Sequence, residues 1–254
     1  MDLRINTSIS TRQTALGIHR NWSDMMSALE KLSSGRRINR ASDDPAGLVI
    51  SQQLQAQIGS LNQEIDNISD NINKYNTVNS TVTDLRDSLN EMRSLAVGAA
   101  NEGFNSEDAQ QAYATAADSM VRTYNRTVAN ASYNGRNTLD GSPGSLAEVA
   151  SLEGIDLSSP EAAVESIEKI DAAANELDAV SSDLAATQKN ELESRQRSLQ
   201  ITRENLVAAE STVGDTDYAL EISNFMSSMI RSKGALALLA HSMLSGKSVV
   251  SLFG

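Results

Sequence analysis

The sequence predicts a mainly α-helical protein, a long antiparallel coiled-coil bundle with paired terminal helices and a small β-hairpin region. Three observations support this fold class. Apolar residues recur at alternating steps of three and four over long stretches, as in coiled coils. The chain has only three prolines and 4% aromatic residues among its 254, and aliphatic residues alone can fill helical seams. The dipeptide Asn134-Gly135 is a strong hairpin signal.

The longest helix is predicted to run from Pro45 to about Ala99. Asp44 precedes the proline and suits an N-cap, Asp43 complements the helix dipole, and Gly35 suits the left-handed residue that ends the preceding helix. The apolar seam has one extra three-residue step, between Tyr75 and Val78, which is a phase slip. Its members are Ile58, Leu61, Ile65, Ile68, Ile72, Tyr75, Val78, Val82, Leu85, Leu89, Met92 and Ala96.

Two further helices are marked by capping residues. Ser106 precedes a helix that reaches about Asn130, and Ser159 precedes one that starts at Pro160. Between them, residues 140–158 are rich in Gly, Ser and Asp, and we expect the least regular structure there. The seam after Pro160 is diluted by polar residues, which indicates a looser or more solvated partner. It comprises Ile167, Ile170, Ala174, Leu177, Leu184, Leu192, Leu199, Leu206 and Val213.

Both chain ends carry apolar stripes that we predict to pack on each other. The C-terminal stripe is Ile222, Phe225, Met229, Leu236, Leu239, Met243 and Val250, and the N-terminal one is Ile5, Ile9, Leu16, Met26 and Leu29. Trp22, Met25, Ile230, Leu238 and Leu244 lie off these seams. A helix that is apolar on more than one face is buried on more than one face, so the remaining partners are expected to come from other copies of the chain.

Composition excludes several classes of function. The chain has no cysteine, two histidines and a net charge of −12, which argues against thiol or zinc-thiolate chemistry and against nucleic-acid binding. The chain has no apolar run of about 18 residues, so the sequence predicts no membrane-spanning helix. No set of nucleophile, base and orienting group is apparent, so we expect no enzyme, no cofactor and no metal. The N-terminus has no secretory hydrophobic region, which taken alone suggests the cytoplasm.

Two polar clusters allow more than one interpretation. Asp215, Asp217 and Glu221 could ligate a metal, but acids at the start of a helix are mostly caps, and the calcium-loop glycine is missing. Arg36, Arg37 and Arg40 lie in the connector before Pro45. Without aromatic stacking partners they fit a solvated basic loop or a contact between subunits better than a nucleic-acid site.

Five motifs, in order along the chain, resemble those of one protein family. They are Leu32-Ser-Ser-Gly-x-Arg-Ile-Asn39 with Asp43-Asp-x-Ala-Gly47, Ser94-Leu-Ala-Val97, Tyr133-Asn-Gly135, Asp215-x-Asp-Tyr-Ala219-x-Glu-x-Ser223 and the ending Ser248-Val-Val-Ser-Leu-Phe-Gly254. On these motifs the chain resembles a bacterial flagellin over about residues 1–140 and 165–254. The short segment after the hairpin indicates a form without outer variable domains.

The resemblance implies a structural subunit that self-assembles into a helical filament for motility. Residues 1–44 and 217–254 would form the inner coiled-coil layer, and residues 45–216 a helical rod with a hairpin region at about 131–158. The family is exported through its own channel without a cleaved signal peptide, which implies an extracellular flagellum, or a periplasmic one. An export chaperone, cap proteins and hook-junction proteins are the implied partners.

The resemblance also bears on the individual residues. It places the connector with Arg36, Arg37 and Arg40 at subunit contacts. A segment with Leu89, Arg93 and Leu95 resembles one that innate immune receptors recognise in some flagellins. Glu91 and Ser94 replace an arginine and a glutamate there, so we expect weak receptor activation. Two other identities stay open: a hook-filament junction protein, and an extracellular adhesin or binding module.

Overall fold

The computed structural model describes residues 9–101 and 106–250, with side chains described for residues 11–101 and 106–241. It is mainly α-helical, as predicted. The elements are α1 (Ile9–Ser34), α2 (Pro45–Ala99), α3 (Glu107–Asn130), β1 (Ser132–Tyr133), β2 (Arg136–Asn137), α4 (Pro160–Thr187), a π-helical turn (Gln188–Leu192), α5 (Glu193–Gly214) and α6 (Tyr218–Val250). Within the described ranges, no helix is long and apolar enough to cross a membrane.

The predicted helix starts are confirmed by their caps. Asp44 Oδ1 accepts from the backbone N–H of Gly47 at 2.9 Å. The hydroxyls of Ser106 and Ser159 accept from first-turn amides of α3 and α4. Each cap satisfies an amide that has no partner within the helix.

Asp43 has a role in the loop before α2 that was not predicted. Its carboxylate accepts from the backbone N–H groups of Asn39 and Arg40, at 3.1 and 2.9 Å, and so closes the loop before α2. These backbone hydrogen bonds hold the pKa of Asp43 below its ordinary value of 3.8. The carboxylate therefore braces the connector that contains the three arginines.

The described chain divides into two compact units. The terminal unit comprises the described residues up to Ser60 and from Thr202 onward, and the central unit comprises Leu61–Ile201. Both boundaries fall inside helices, within α2 and α5. The predicted division at residues 44 and 217 concerns layers of a filament, which a single chain does not test.

The core of the central unit follows the predicted seam of α2. Side chains from α2, α3 and α4 form one buried apolar cluster, joined by residues of the connecting segment. The α2 members are Val78, Val82, Leu85, Leu89, Met92, Ala96 and Ala99. Ion pairs between Arg86 and Asp178 and between Arg93 and Asp171 fix α2 and α4 as antiparallel neighbours.

The hairpin forms where the Asn-Gly signal places it. Tyr133 pairs with Arg136, and Asn134 and Gly135 both have positive φ, at 51° and 75°. Such angles at both central positions give a turn whose twist matches the flanking strands. Residues 140–158, expected to be least regular, contribute more than predicted. Their apolar side chains pack into the core; the fully or nearly buried members are Val149, Leu152 and Leu157.

In the terminal unit, α1 packs along α6, as the sequence predicts. The two connectors also pair with each other. Arg37 N–H donates to the carbonyl of Gly214 at 2.8 Å, and Thr216 N–H donates to that of Gly35 at 3.0 Å. Gly35 has φ +70°, which confirms the left-handed helix end. The end of α1 therefore lies beside the start of α6, and the two helices are antiparallel.

Candidate assembly surface

The contact between α1 and α6 is made by small, polar or half-buried side chains. Buried or half-buried positions recur at steps of three and four on both helices, the period of a coiled-coil seam. On α6 they include Glu221, Phe225, Ser228, Ser232, Ala235 and Leu239, and on α1 Thr14, Ile18, Asn21, Met25, Ala28 and Leu32. Ser228 and Ser232 are only 2% and 7% exposed. Short side chains at the contact allow two helices to approach closely.

Many large apolar side chains of both helices point away from this seam. On α6, Ile230 and Leu238 are each 67% exposed. Among the described side chains of the pair, other exposed large aliphatic residues or tryptophan are Leu16, Trp22, Met26, Leu29, Leu220, Ile222, Met226 and Leu236. At about 100° per residue, those on α6 lie on both flanks of the buried line. We call this set the outer apolar surface.

The prediction of the pairing face was therefore wrong in part. Leu16, Met26, Leu29, Ile222 and Leu236 were expected to pack α1 on α6, yet each is exposed in the single chain. Phe225, Met229 and Leu239 do lie half-buried at the seam. The physical reason is that a pair of helices covers one face of each, and on that face this chain places Ser228, Ser232 and Ala28 beside half-buried larger residues. Ile5 lies outside the described residues, as do the side chains of Ile9, Met243 and Val250.

The three connector arginines are held within the chain. Arg37 donates from Nη2 to the carbonyl oxygen of Val213 at 2.7 Å. Arg40 makes a bidentate pair with Glu30, with N–O distances of 2.9 and 3.1 Å. Each guanidinium remains half-exposed or more, so it retains donors for another molecule.

The acidic motif before α6 acts as a cap. Asp217 Oδ1 accepts from the N–H groups of Ala219 and Leu220, at 2.9 and 3.1 Å. Asp215 accepts from the Ser211 hydroxyl at 2.6 Å. Glu221 is buried at the helix pair. Among the described residues, no three His, Asp or Glu side chains are grouped so as to hold a metal ion.

The segment expected to face an immune receptor lies mostly inward. Leu89 is 1% exposed in the core of the central unit, and Leu95 is half-buried. Arg93 is half-exposed, but Nε donates to Asp171 at 2.7 Å. Of the three residues, Arg93 is the one with a half-exposed side chain, and its guanidinium is paired with the carboxylate of Asp171.

Sequence reasoning missed two features of the terminal unit. Val49 and Ile50, at the start of α2, are exposed apolar residues that lie outside every predicted seam. The second feature is the seam of small residues, whose signal was available in the spacing of Ser228, Ser232 and Ala235. That signal is weak because Ser and Ala carry little hydrophobicity, and the larger residues beside them dominate any apolar pattern.

These features define a class of protein. A pair of helices that buries small residues and exposes ten or so large apolar ones carries the kind of surface that marks an interaction site. Complete burial of each half-exposed Leu, Ile or Met side chain would contribute about 1 kcal/mol. The chain is therefore a helical structural protein with an apolar surface for contact with other molecules.

Comparison with known proteins gives the family. The family model of the bacterial flagellin N-terminal helical region matches residues 5–144, and that of the C-terminal helical region matches residues 167–253. A flagellin of Halalkalibacterium halodurans is 33% identical over 264 aligned residues, covering 94% of this chain and 96% of the relative. The chain belongs to the bacterial flagellin family.

Other relatives differ in how much they share. The flagellar filament 30.7 kDa core protein of Treponema maltophilum is 28% identical and aligns over 99% of both chains. Flagellin FlaB1 of Treponema pallidum is 36% identical over 141 residues, which cover 56% of this chain and 48% of the relative. This chain spans about half or less of the length of several curated relatives that it matches.

Proposed function

We propose that this chain is the structural subunit of a bacterial flagellar filament, and that the outer apolar surface drives its polymerisation. The observation that carries the proposal is that the helix pair buries Ser228 and Ser232, which are polar, and leaves Ile230 and Leu238, which are apolar, 67% exposed. Large exposed apolar surfaces of this kind mark contacts with other molecules. Family membership supports the same role.

In the filament, residues 1–44 and 217–254 form the inner layer and residues 45–216 the surrounding rod. The connector with Arg36, Arg37 and Arg40 contacts a neighbouring subunit through its free guanidinium donors. The interface residues are Ile5, Ile9, Leu16, Met26, Leu29, Ile222, Phe225, Met229, Leu236, Leu239, Met243 and Val250. Phe225, Met229 and Leu239 serve both the pair and the neighbours, because they are only half-buried in one chain.

Family membership also supports the proposed location and partners. The filament is extracellular, or periplasmic as the Treponema relatives suggest, and the subunit is exported without a cleaved signal peptide. Export-chaperone, cap and hook-junction proteins are its further partners. The protein has no catalytic role. Binding to innate immune receptors is weak, because Leu89 is buried and Arg93 is paired with Asp171.

Seeded growth tests the proposal. Purified monomer is mixed with short filament seeds and growth is followed by electron microscopy. The double variant Ile230→Asn, Leu238→Asn should lose growth while the central unit keeps its thermal midpoint, because both residues are exposed in the single chain. A matched double variant of exposed polar residues, Gln52→Asn and Gln53→Asn, should grow normally.

Three outcomes decide between the candidate functions. Long filaments from unmodified protein support the filament subunit. Stoichiometric binding to hook ends without growth would instead identify a junction protein. Growth that survives Ile230→Asn, Leu238→Asn would show that the outer apolar surface is not the assembly surface. Growth that survives deletion of residues 1–20 would contradict the role assigned to the N-terminal end. Hydrogen exchange adds a direct readout, because α1 and α6 should exchange fast in the monomer and slowly in filaments.

A further inference from the structure

Four of the eight methionines of the chain lie close together on the pair of α1 and α6. They are Met25, Met26, Met226 and Met229. The two helices are antiparallel, and the Thr216 N–H donates to the Gly35 carbonyl where α1 ends and α6 begins. Met26 precedes Gly35 by nine residues and Met226 follows Thr216 by ten, so they lie at the same level of the pair to within about one helical turn.

The described methionines differ in exposure. Met26 is 44% exposed and Met226 is 48% exposed, whereas Met92 in the core of the central unit is 0% exposed. The half-buried ones are Met25, Met120 and Met229. Trp22, the one tryptophan of the chain, is 53% exposed and lies four residues before Met26, on the same face of α1. Two thioethers of the outer apolar surface are therefore open to an oxidant dissolved in water.

Methionine is the residue of this surface that dilute peroxide oxidises. The C–C and C–H bonds of the leucines and isoleucines around it are inert, whereas a thioether is converted to a sulfoxide. The sulfur gives an electron pair to one oxygen of hydrogen peroxide, the O–O bond breaks, and the second oxygen takes up a proton and leaves as water. The sulfur is oxidised and the peroxide is reduced. A flexible apolar side chain thereby becomes a polar one.

We propose that Met26 and Met226 form an oxidation site through which peroxide blocks assembly of the subunit. Their neighbours one turn away along the helices, Leu29, Ile222 and Ile230, have no side-chain donor for a sulfoxide oxygen. A second chain that covered this part of the outer apolar surface would bury the polar oxygen without a partner. Such burial costs free energy where burial of the thioether contributes it.

The site is open in the free subunit and closed in the filament. This step rests on the proposed function, because the filament is what covers the outer apolar surface. Peroxide therefore acts on subunits that have not yet assembled, and filaments already formed are protected at Met26 and Met226. The block is reversible, since a methionine sulfoxide reductase removes the added oxygen.

Oxidation of the full-length monomer tests the site without any filament. The chain is exposed briefly to dilute hydrogen peroxide and digested, and peptide mass spectrometry follows the oxygen added at each methionine. Met26 and Met226 should react at least about tenfold faster than Met92, because susceptibility follows exposure. The same spectra check that Trp22 is unmodified.

Seeded growth of the same samples tests the consequence. Oxidised monomer should grow at least about tenfold more slowly than untreated monomer, and reductase treatment should restore its growth. The double variant Met26→Leu, Met226→Leu should grow normally before and after the same dose of peroxide, because leucine fills nearly the same volume and has no sulfur. Met120→Leu, in α3 of the central unit, is the matched control and should remain sensitive.

A second pair of substitutions imitates the oxidised state without peroxide. Met26→Gln, Met226→Gln should grow as slowly as oxidised protein, because glutamine is an unbranched polar side chain of similar length. Both residues are nearly half-exposed in the single chain, so the helix pair should form in this variant. Normal growth of the glutamine variant would contradict the block to assembly.

Three further results would overturn the proposal. One is reaction of Met26 and Met226 no faster than that of Met92. Another is undiminished growth of monomer that carries both sulfoxides. The third is loss of growth on oxidation of the Met26→Leu, Met226→Leu variant, which would assign the block to other methionines. Absence of filaments from untreated protein would defeat the proposed function, while the order of oxidation in the monomer would still decide the site.

Discussion

Arg37 ties the two connectors of the terminal unit together through both its backbone and its side chain. Its guanidinium donates two hydrogen bonds to the carbonyl oxygen of Val213, from Nη2 at 2.7 Å and from Nε at 3.2 Å. Its own N–H donates to the carbonyl of Gly214 at 2.8 Å. These bonds occupy a carbonyl in the last turn of α5, where a helix has no partner for it. Arg37 is therefore a brace within the chain as well as a basic surface residue.

We predict that Arg37→Ala weakens the terminal unit and filament growth. Loss of the bonds to Val213 should cost about 1 kcal/mol, because the carbonyl is accessible to water and the charge adds little at half exposure. The thermal dissociation midpoint of filaments and the rate of seeded growth should both fall. Arg122→Ala is the control, since Arg122 pairs only with exposed Asp118 one helical turn away. Equal behaviour of the two variants would contradict the role of Arg37.

Gly35 and Gly17 should respond oppositely to alanine. Gly35 has φ +70°, and a Cβ there would lie 3.1 Å from Tyr218 Oη. Gly35→Ala should destabilise by about 1–2 kcal/mol because an L-residue is strained in the left-handed region. Gly17 lies within α1, where a Cβ meets nothing within 4 Å, so Gly17→Ala should stabilise the helix by about 0.5–1 kcal/mol. Filament dissociation midpoints that move in the same direction would refute the assignment.

The local features of the fold could be predicted because their causes are local. The caps at Asp44, Ser106 and Ser159 and the turn at Asn134-Gly135 depend on residues within one helical turn or one hairpin. The buried seam of α2 also followed from spacing, because one face of a long helix meets a single continuous core. For the caps and the turn, the interacting residues lie within a few positions of each other in the sequence.

The pairing face of α1 and α6 could not be read in the same way. Apolar spacing shows which residues avoid water, but not which molecule covers them. In this chain the covering is divided between a partner helix and other subunits, and the seam of Ser228, Ser232 and Ala28 carries almost no hydrophobic signal. The packing of Val149 and Leu152 was missed for another reason, since an irregular backbone imposes no period on its buried side chains.

Alkaline pH should destabilise the central unit through Tyr124. Burial, with Glu176 nearby, raises the pKa of Tyr124 from 10.0 to about 12. Between these values the unfolded chain loses the phenolic proton and the folded chain keeps it, so stability is complete below pH 10 and falls as pH rises towards 12. Tyr124→Phe should flatten that slope in denaturant unfolding of the full chain. Tyrosinate absorbance of the native protein should show one phenol that titrates late, and an unchanged slope in the variant would contradict the prediction.

Acid should act on the connector through Asp43. Its pKa is lowered by hydrogen bonds from the backbone of Arg40 and Asn39, so the stabilisation is present above the ordinary pKa of 3.8 and is lost as pH falls below it. Asp43→Asn should remove part of the acid dependence of filament dissociation, because an amide oxygen accepts more weakly at every pH. Asp24→Asn, on the exposed side of α1, is the control and should leave the dependence unchanged. A carboxyl titration of Asp43 near its ordinary value would show that the loop is not closed in solution.

The antiparallel register of α2 and α4 is set in part by two ion pairs spaced seven residues apart on each helix. Arg86 pairs with Asp178 and Arg93 with Asp171, all about half-exposed. Arg93→Asp should place two carboxylates together and destabilise the central unit, as should Asp171→Arg, while the double charge exchange should recover most of the loss.

At half exposure the coupling energy of the Arg93–Asp171 pair should be small, and it should shrink in high salt. A double-mutant cycle by denaturant unfolding measures it, with Arg122 and Asp118 as a pair within one helix that sets no register. Purely additive single changes at Arg93 and Asp171 would mean that the buried seam alone fixes the register, with the charges serving only solubility.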